Sequence, residues 1–351
     1  MMTSLLLAWA LTAATSRPYT AGLAVEGPQA YSEVVAVKEP RDGVSSMVWT
    51  PDSGGLWVMG NEGGAVYLLD GGSGAVLRRI ALPDHEELDQ LTLSADGTTL
   101  AGITSEAKVL ILNVASGRIQ QWTPRHRDAL EGPLAFSPDG KLLFGGLIGG
   151  GLVAEKVWVQ AWDVATGKSR GIRRLREFSD EAEGYVPSEL AGQHFYTNLD
   201  VLIVRPRPIK LCDDLEPYAA AGALGWYGDE AGGLRRLDDC SVIHARSLRL
   251  DAAQPSDFRL TADGARAAFM IGGTDTASFG MIDLATDSEP VGRIHLEVAS
   301  FPDLALAPDG TQLAISLAQR DPDGSRREAL ILWRPLAAPG APARRLDLHM
   351  Q

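Results

Sequence analysis

The sequence predicts an all-β fold, a single β-propeller of seven four-stranded antiparallel blades. Three observations lead to this prediction. A turn motif recurs at a nearly constant spacing. Segments with apolar residues at every second position, typical of strands, flank its copies. Glycine and proline, which favour turns, occur at regular intervals along the chain. A repeat of about 40–45 residues with four short strands is the spacing of propeller blades.

The best-formed copy of the motif is Ser137–Gly140. Pro138 presets φ for the first corner of a turn, Asp139 can bond the nearby backbone, and Gly140 takes the positive φ that closes it. Apolar residues alternate on both sides of this turn: Leu134, Phe136, Leu142 and Phe144. Alternation with period 2 predicts two half-buried strands joined by the turn.

Four further segments align with this turn. They are Trp49–Gly54, Leu93–Gly97, Leu260–Gly264 and Leu306–Gly310. The aspartates at positions 52, 96, 139, 263 and 309 are separated by 44, 43, 124 and 46 residues. The long gap is nearly three repeats, so it predicts two degenerate blades within residues 176–255 and seven blades in all.

A second turn recurs with the same period. An apolar strand ends in Asp or Asn, and Gly follows four residues later, which is typical of an Asx turn between the third and fourth strands. The copies are Tyr67–Gly74, Ile111–Gly117 and Ala161–Gly167, with Met281–Asp287 as a looser one. Ile331–Arg334 departs from this pattern, since Arg replaces Asp and Pro335 follows.

The Ser137–Gly140 corner followed by Trp162–Gly167 resembles the WD-repeat β-propeller family, including bacterial YVTN-type repeats with Ser-Pro-Asp-Gly corners. The likeness covers roughly residues 45–175 and 256–335. Propeller repeats of Tol-associated periplasmic proteins and of lactonases share this corner. The resemblance therefore implies the propeller fold and is compatible with both binding proteins and enzymes.

The segment between Arg176 and Leu250 does not show the regularly spaced turn motifs. Phe195-Tyr196, Val201–Val204 and Ser241–Ile243 have the composition of strands, whereas Arg205–Pro208 cannot lie mid-sheet because each proline lacks a ladder donor. We expect two degenerate blades here; one blade with a long excursion is the alternative.

Either end of the chain can complete the ring, and we place the propeller within residues 31–349. Val34–Val37 precedes the first visible corner, and Arg344–Leu348 follows the last blade. Either segment can supply the outer strand that removes free edges. The sequence leaves both possibilities open.

Residues 1–14 have the pattern of a signal peptide. Leu5–Leu11 is too short an apolar run to span a bilayer, and Thr12 and Ala14 supply small residues for a cleavage site. We therefore expect a periplasmic or secreted protein; a cytoplasmic protein is the alternative if this run is not a signal. No other stretch approaches 18 apolar residues, so a transmembrane protein is not expected.

The net charge of the chain limits the classes of partner that we expect it to bind. A formal net charge of −13 disfavours binding to nucleic acid and to anionic membranes.

Cys212 and Cys240 are the two cysteines, and in an exported protein they can form a disulfide that contributes about 3–4 kcal/mol to stability. Two small buried thiols are the alternative. Without a Cys-x-x-Cys pair, neither a redox dithiol nor a zinc knuckle is indicated.

Signatures of catalysis are weak in this sequence. The six histidines are isolated, and neither a Gly-x-Ser-x-Gly elbow nor a phosphate-binding loop is present, so we expect no cofactor and no metal. Two glycine runs, Gly145–Gly151 and Gly71–Gly74, are interpreted as hairpin loops. The aspartates of the recurring corners are interpreted as turn formers.

Propeller topology divides the loops between two faces. With strands a to d numbered outward, the short a–b and c–d turns share one end of the blades, here called the regular face. The variable b–c and d–a loops share the other end, the irregular face, where function is expected to concentrate. The candidate binding residues there are His85, Glu86, Arg125, His126, Arg127, Arg320 and Arg326.

The sequence therefore favours a non-catalytic binding or scaffold propeller that contacts a protein partner or small ligand through its irregular face. The alternative is a propeller enzyme of the lactonase or lyase type, with carboxylates or a metal at the mouth of the central channel. A third interpretation is a detached regulatory partner of a larger envelope complex.

Overall fold

The fold is known from a computed structural model, which describes seventeen stretches of the chain. They are residues 24–26, 30–37, 44–60, 63–124, 133–151, 154–177, 188–197, 202–209, 212, 217–221, 223–227, 233–244, 257–272, 276–284, 292–297, 303–320 and 326–337. Within them the chain forms 28 β-strands, a short 3₁₀ turn at Pro83–His85 and no α-helix.

The first three blades are four-stranded and follow the chain in order. Blade 1 contains β3 (Val44–Trp49), β4 (Gly55–Gly60), β5 (Ala65–Asp70) and β6 (Val76–Ala81). Blade 2 contains β7 (Leu88–Leu93), β8 (Thr99–Thr104), β9 (Val109–Asn113) and β10 (Ile119–Trp122). Blade 3 contains β11 (Leu134–Phe136), β12 (Leu142–Gly151), β13 (Ala154–Asp163) and β14 (Ser169–Glu177).

Two sheets fill the irregular segment. Blade 4 contains β15 (Ser188–Leu190), β16 (Gln193–Thr197) and β17 (Leu202–Arg205). Blade 5 contains β18 (Pro217–Ala221), β19 (Leu224–Tyr227), β20 (Gly233–Arg236) and β21 (Val242–His244).

The last two blades combine strands from both ends of the chain. Blade 6 contains β22 (Asp257–Leu260), β23 (Arg266–Gly272), β24 (Thr276–Asp283) and β25 (Gly292–Glu297), with β1 (Ala24–Glu26) as a fifth strand. Blade 7 contains β26 (Asp303–Leu306), β27 (Leu313–Arg320) and β28 (Arg326–Ala337), with β2 (Ala30–Val37) outermost. The predicted fold class, an all-β propeller, is confirmed.

The amino-terminal strand closes the ring. All eight residues of β2 pair antiparallel with β28, from Ala30 opposite Ala337 to Val37 opposite Leu330. The strand continues through Pro335, which lies opposite Ser32, so Arg334 and Pro335 do not end it. Residues 344–348, the other candidate for closure, lie outside the described residues.

Blade 4 has the opposite radial order from its neighbours. In other blades the first strand lines the ring, as β3, β7, β11, β18, β22 and β26 do. In blade 4 the first strand, β15, lies against the outer strand β14, and the last strand, β17, lies against the inner strand β11. The chain thus enters blade 4 from outside and leaves it near the ring's centre, where β18 begins blade 5.

The recurring corner is held by a hydroxyl and a carboxylate. The Ser137 hydroxyl donates to Asp139 Oδ1 at 2.7 Å and accepts the Leu142 N–H at 3.0 Å. Asp139 Oδ1 also accepts the Lys141 N–H at 3.2 Å, and Gly140 has a φ of 67°. Thr50, Ser94 and Thr261 repeat the hydroxyl-to-aspartate bond. The corner aspartates are therefore structural, as predicted.

The core lies between neighbouring blades. Six clusters of described buried residues each span two adjacent sheets. At the junction of blades 2 and 3, a side chain at Gly167 would lie 2.5 Å from Trp122 Nε1, so the turn must carry glycine. Trp49 Nε1 donates to Ala305 O at 2.8 Å, which links blade 1 to blade 7.

The glycine run of blade 3 is not a loop, and that prediction was wrong. Residues 145–151 belong to β12 and pair with β13 as far as Gly151 opposite Ala154. Glycine suits this position of the strand because a Cβ at Gly145 would lie 3.0 Å from both Leu134 and the Trp162 ring, so a larger residue would force them to shift. Gly71–Gly74, in contrast, forms the predicted turn between β5 and β6. No helix among the described residues has the length and apolar character needed to cross a bilayer.

Candidate functional site

The best-defined feature of the irregular face is the junction of blades 1 and 2. The connection from β6 to β7 forms the 3₁₀ turn Pro83–His85, with Asp84 at a φ of 54°. Leu82 N–H donates to Gly64 O at 2.9 Å, and Gly64 N–H donates to Glu86 O at 3.0 Å. The b–c loop of blade 1 therefore holds the d–a connection in place.

Glu86 is the most unusual side chain at this junction. Its side chain is only 9% exposed, although the sequence places Glu86 in a variable loop. Oε1 accepts from Gln121 Nε2 at 3.0 Å and lies 3.8 Å from Lys108 Nζ. Oε2 is buried and has no hydrogen-bond partner among the described residues. A buried carboxylate oxygen without a donor carries a desolvation cost.

A groove of about 510 Å³ lies beside this carboxylate. Its lining residues come from the outer strands of blades 1 and 2 and the connection between the blades: Ala81, Leu82, Pro83, Ile119 and Gln121. Gln121 both lines the groove and donates to Glu86. The junction thus combines an apolar surface with one under-satisfied acceptor.

Two carboxylates lie on the innermost strands of adjacent blades. Arg259 on β22 donates from Nη1 to Asp257 at 2.5 Å, and its Nη2 lies 3.7 Å from Asp303 on β26. Arg259 Nε also donates to Leu304 O at 3.4 Å. One arginine therefore engages both carboxylates. In the described part of the chain, no three His, Cys, Asp or Glu side chains come together as metal ligands.

The other candidate residues lie either outside the described residues or within regular secondary structure. Arg125, His126 and Arg127 lie outside the described residues, and His85 is the last residue of the 3₁₀ turn. Arg320 and Arg326 were expected in a loop, but β27 and β28 extend to include them, and they lie opposite each other in the ladder. The longer hairpin pairs backbone groups of β27 and β28 that a loop would have left unpaired.

Carboxylates on the regular face are committed to turns. In blade 3, Asp163 Oδ1 accepts from the Thr166 N–H at 3.0 Å and from the Thr166 hydroxyl at 2.8 Å. Arg170 also bonds this carboxylate, and these contacts, led by Arg170, lower the pKa of Asp163 from 3.8 to about 2. The Ser137 hydroxyl likewise holds the pKa of Asp139 below its usual value.

Sequence reasoning missed the equivalent c–d turn of blade 5. Cys240 N–H donates to Arg236 O at 3.1 Å, as Gly167 N–H donates to Asp163 O at 2.8 Å. Arg236 thus occupies the aspartate position and Cys240 the glycine position, with a φ of 61°. Cys240 forms a disulfide with Cys212, whose Cα lies 5.4 Å away. Arg236 precedes Asp283 by 47 residues, about one blade, and that spacing was a usable signal.

Comparisons with known proteins support the fold. The C-terminal WD40 domain of Sif2 is 11% identical, with a TM-score of 0.51 over 84% of this chain and 97% of that one. The WD40 repeats of RRP9 are 14% identical, with a TM-score of 0.51 over 89% of this chain and 100% of that one.

A third similar structure is an enzyme. An oligogalacturonate lyase in complex with manganese is 13% identical, with a TM-score of 0.54 over 90% of this chain and 96% of that one. No protein-family model matches the sequence, and no curated protein matches it. At these identities the likeness establishes a WD40-like β-propeller fold, which hosts both scaffolds and enzymes.

Proposed function

We propose that the protein is an exported, non-catalytic binding module that receives a protein partner on its irregular face at the junction of blades 1 and 2. The observation that carries this proposal is Glu86, a carboxylate buried beside a groove with one oxygen lacking a described donor. Arg125 and Arg127 belong to the proposed face by their place in the sequence.

The chemistry of the junction specifies the kind of partner segment. The groove offers Leu82, Pro83 and Ile119 to an apolar side chain. Glu86 places a poorly screened negative charge at this junction, which favours a lysine or arginine of the partner. A chain with a net charge of −13 also attracts a basic partner over long range. The expected ligand is therefore a basic segment with an apolar anchor.

The disulfide supports export. Bonds between cysteines persist in oxidising compartments and are rare where thiols are kept reduced. Protein isolated from its natural source should therefore show no free thiol under native, non-reducing conditions, and mass spectrometry should find residues 1–14 removed. Two free thiols together with a retained Met1 would contradict export.

The binding proposal is tested by affinity capture from envelope extract with the purified full-length chain as bait. Glu86→Gln removes the buried charge, and Glu106→Gln removes a charge from the same face where the side chain is 67% exposed. We expect recovery of a specific partner to fall at least about tenfold with Glu86→Gln and by less than about twofold with Glu106→Gln.

A double substitution, Arg125→Glu with Arg127→Glu, should raise recovery of a basic partner, because it replaces two cations that would repel that partner with two carboxylates, at positions that the sequence assigns to the same face. Lys141→Glu is the control on the regular face, at a side chain that is 81% exposed. Equal recovery by every variant would overturn the proposed face. The enzyme alternative requires catalytic groups from several blades to converge at the channel mouth; Arg259 engages Asp257 and Asp303, two carboxylates of the innermost strands.

A further inference from the structure

Three arginines surround one aspartate between blades 4 and 5. Arg205 ends β17, Arg207 follows it, and Arg236 ends β20. Asp238 Oδ2 lies 3.8 Å from Arg205 Nη2 and 3.9 Å from Arg207 Nη1, and Asp238 Oδ1 lies 3.3 Å from Arg236 Nε. The cluster is beside the Cys212–Cys240 disulfide, at the regular face.

Arg205 is buried and incompletely bonded. Its side chain is 7% exposed, and its Nη1 has no hydrogen-bond partner among the described residues. Burial lowers the pKa of Arg205, with the nearby charges of Arg207 and Arg236 acting in the same direction and Asp238 opposing them. A buried guanidinium normally needs both a countercharge and acceptors for its N–H groups. Asp238, at 3.8 Å, is a distant countercharge that Arg205 shares with two other arginines.

The cluster has an excess of positive charge. The neighbouring Asp239 accepts from the Ser241 N–H at 2.9 Å and from the Ser241 hydroxyl at 2.6 Å, so its bonds close the turn. Among the described residues, the cluster therefore sets three guanidinium groups against the carboxylates of Asp238 and Asp239, the second of which interacts with the charge of Arg236. This local excess is notable in a chain with a net charge of −13.

The same position in blade 3 is balanced. There, Asp163 and Arg170 form a one-to-one pair across the c–d turn. In blade 5, Arg236 replaces the aspartate of that turn, so the repeat has lost a carboxylate and gained a cation. Departure from the structural repeat and a buried N–H donor without a described partner are two separate features of one location.

We infer that Arg205, Arg207 and Arg236 form a binding site for a small oxyanion, a carboxylate or a phosphate, on the regular face between blades 4 and 5. This site is independent of the junction proposed for the protein partner. The guanidinium fork matches the paired oxygens of carboxylate and phosphate groups. Arg207 and Arg236 are 72% and 44% exposed and make the first contact, while buried Arg205 adds charge that solvent screens poorly.

The test is isothermal titration of the full-length, disulfide-bonded protein at low ionic strength, with inorganic phosphate and malonate as separate probes. Sodium chloride at matched ionic strength serves as the blank. We expect saturable one-to-one binding of at least one probe. Arg207→Gln and Arg236→Gln should each weaken that binding about tenfold, because each removes a charge-assisted contact. The probe that binds more tightly identifies phosphate or carboxylate as the ligand chemistry.

Arg170→Gln is the matched control, since it removes an exposed arginine from the c–d turn of blade 3, where the charges are balanced. It should change affinity less than about twofold. Arg205→Lys keeps the buried charge but loses the fork, and a folded variant should bind more weakly than the wild type. Absence of saturable binding to both probes, or equal affinity of the wild type and both glutamine variants, would overturn the inference.

Discussion

Blade 3 and blade 5 use the same turn with different residues. In blade 3, Asp163 accepts two bonds from Thr166, and Gly167 takes the positive φ without steric cost. In blade 5, Arg236 and Cys240 occupy those positions, and the disulfide to Cys212 anchors the turn. The backbone geometry of a blade can therefore be kept while its side-chain chemistry is exchanged.

The largest loss of stability from a single substitution is expected in blade 4. Phe195 is fully buried, and its ring centroid lies 6.3 Å from that of Phe144 in blade 3. Phe195→Ala should lower the free energy of unfolding by about 3–5 kcal/mol, since it empties the contact that holds a three-stranded sheet to its neighbour. Urea denaturation followed by fluorescence measures this change. A loss below about 1 kcal/mol would show that blade 4 is not packed there.

Removal of the disulfide, which lies in the irregular segment, should lower the free energy of unfolding slightly less than Phe195→Ala does. Cys240→Ala should cost about 3–4 kcal/mol in the chain-entropy model, because the bond closes a 28-residue separation. Cys240→Gly should cost about 1 kcal/mol less, since glycine adopts the φ of 61° without strain. Thermal denaturation of both variants checks the difference. Equal stability of the two would contradict the assignment of Cys240 to the glycine position.

The corner hydroxyl should contribute less to the free energy of unfolding than the disulfide does. Adding a hydroxyl at a corner that lacks one should raise the stability. Ser137→Ala removes the donor to Asp139 and the acceptor for Leu142 N–H, so a loss of about 1–2 kcal/mol is expected. Blade 7 has Ala307 at the equivalent position, and Ala307→Ser should gain up to about 1 kcal/mol by supplying that hydroxyl. Chemical denaturation of both variants measures this. Loss of stability in both would mean that blade 7 closes its corner differently.

Acid should weaken the regular blades gradually. The folded pKa values of Asp96, Asp139 and Asp163 are lowered, so these groups stabilise the fold above their unfolded values near 3.8. That contribution is lost as pH falls from about 4 toward about 2, the folded value for Asp163. Ser137→Ala should reduce the sensitivity, because the Ser137 bond is the main cause of the shift at Asp139. Urea midpoints at about pH 6 and about pH 3 test this; an unchanged acid dependence would contradict it.

Local patterns in the sequence were enough to predict the repeating part of this fold. The Ser137–Gly140 corner and the Asp163–Gly167 turn are short-range structures, so their chemistry is visible in a few adjacent residues. The period between copies then predicted two blades in the irregular segment, where two sheets lie.

Features that depend on distant contacts were not predictable in the same way. The reversed order of blade 4 depends on β17 meeting β11, and the pairing of β2 with β28 joins opposite ends of the chain. The burial of Glu86 likewise arises from Gln121 and Lys108 in the next blade. The arginine cluster was missed because Arg236 and Cys240 replace the two residues that defined the turn motif.

One paired measurement tests most directly the claim that the corner residues build the scaffold while the irregular face binds the partner. Thermal stability and partner recovery are measured together for Ser137→Ala and Glu86→Gln. The account predicts that Ser137→Ala lowers the melting temperature by several degrees and keeps recovery, whereas Glu86→Gln loses recovery and shifts the melting temperature by less than about 2 °C. The opposite result, with Ser137→Ala abolishing recovery in a stable protein and Glu86→Gln changing only stability, would contradict it.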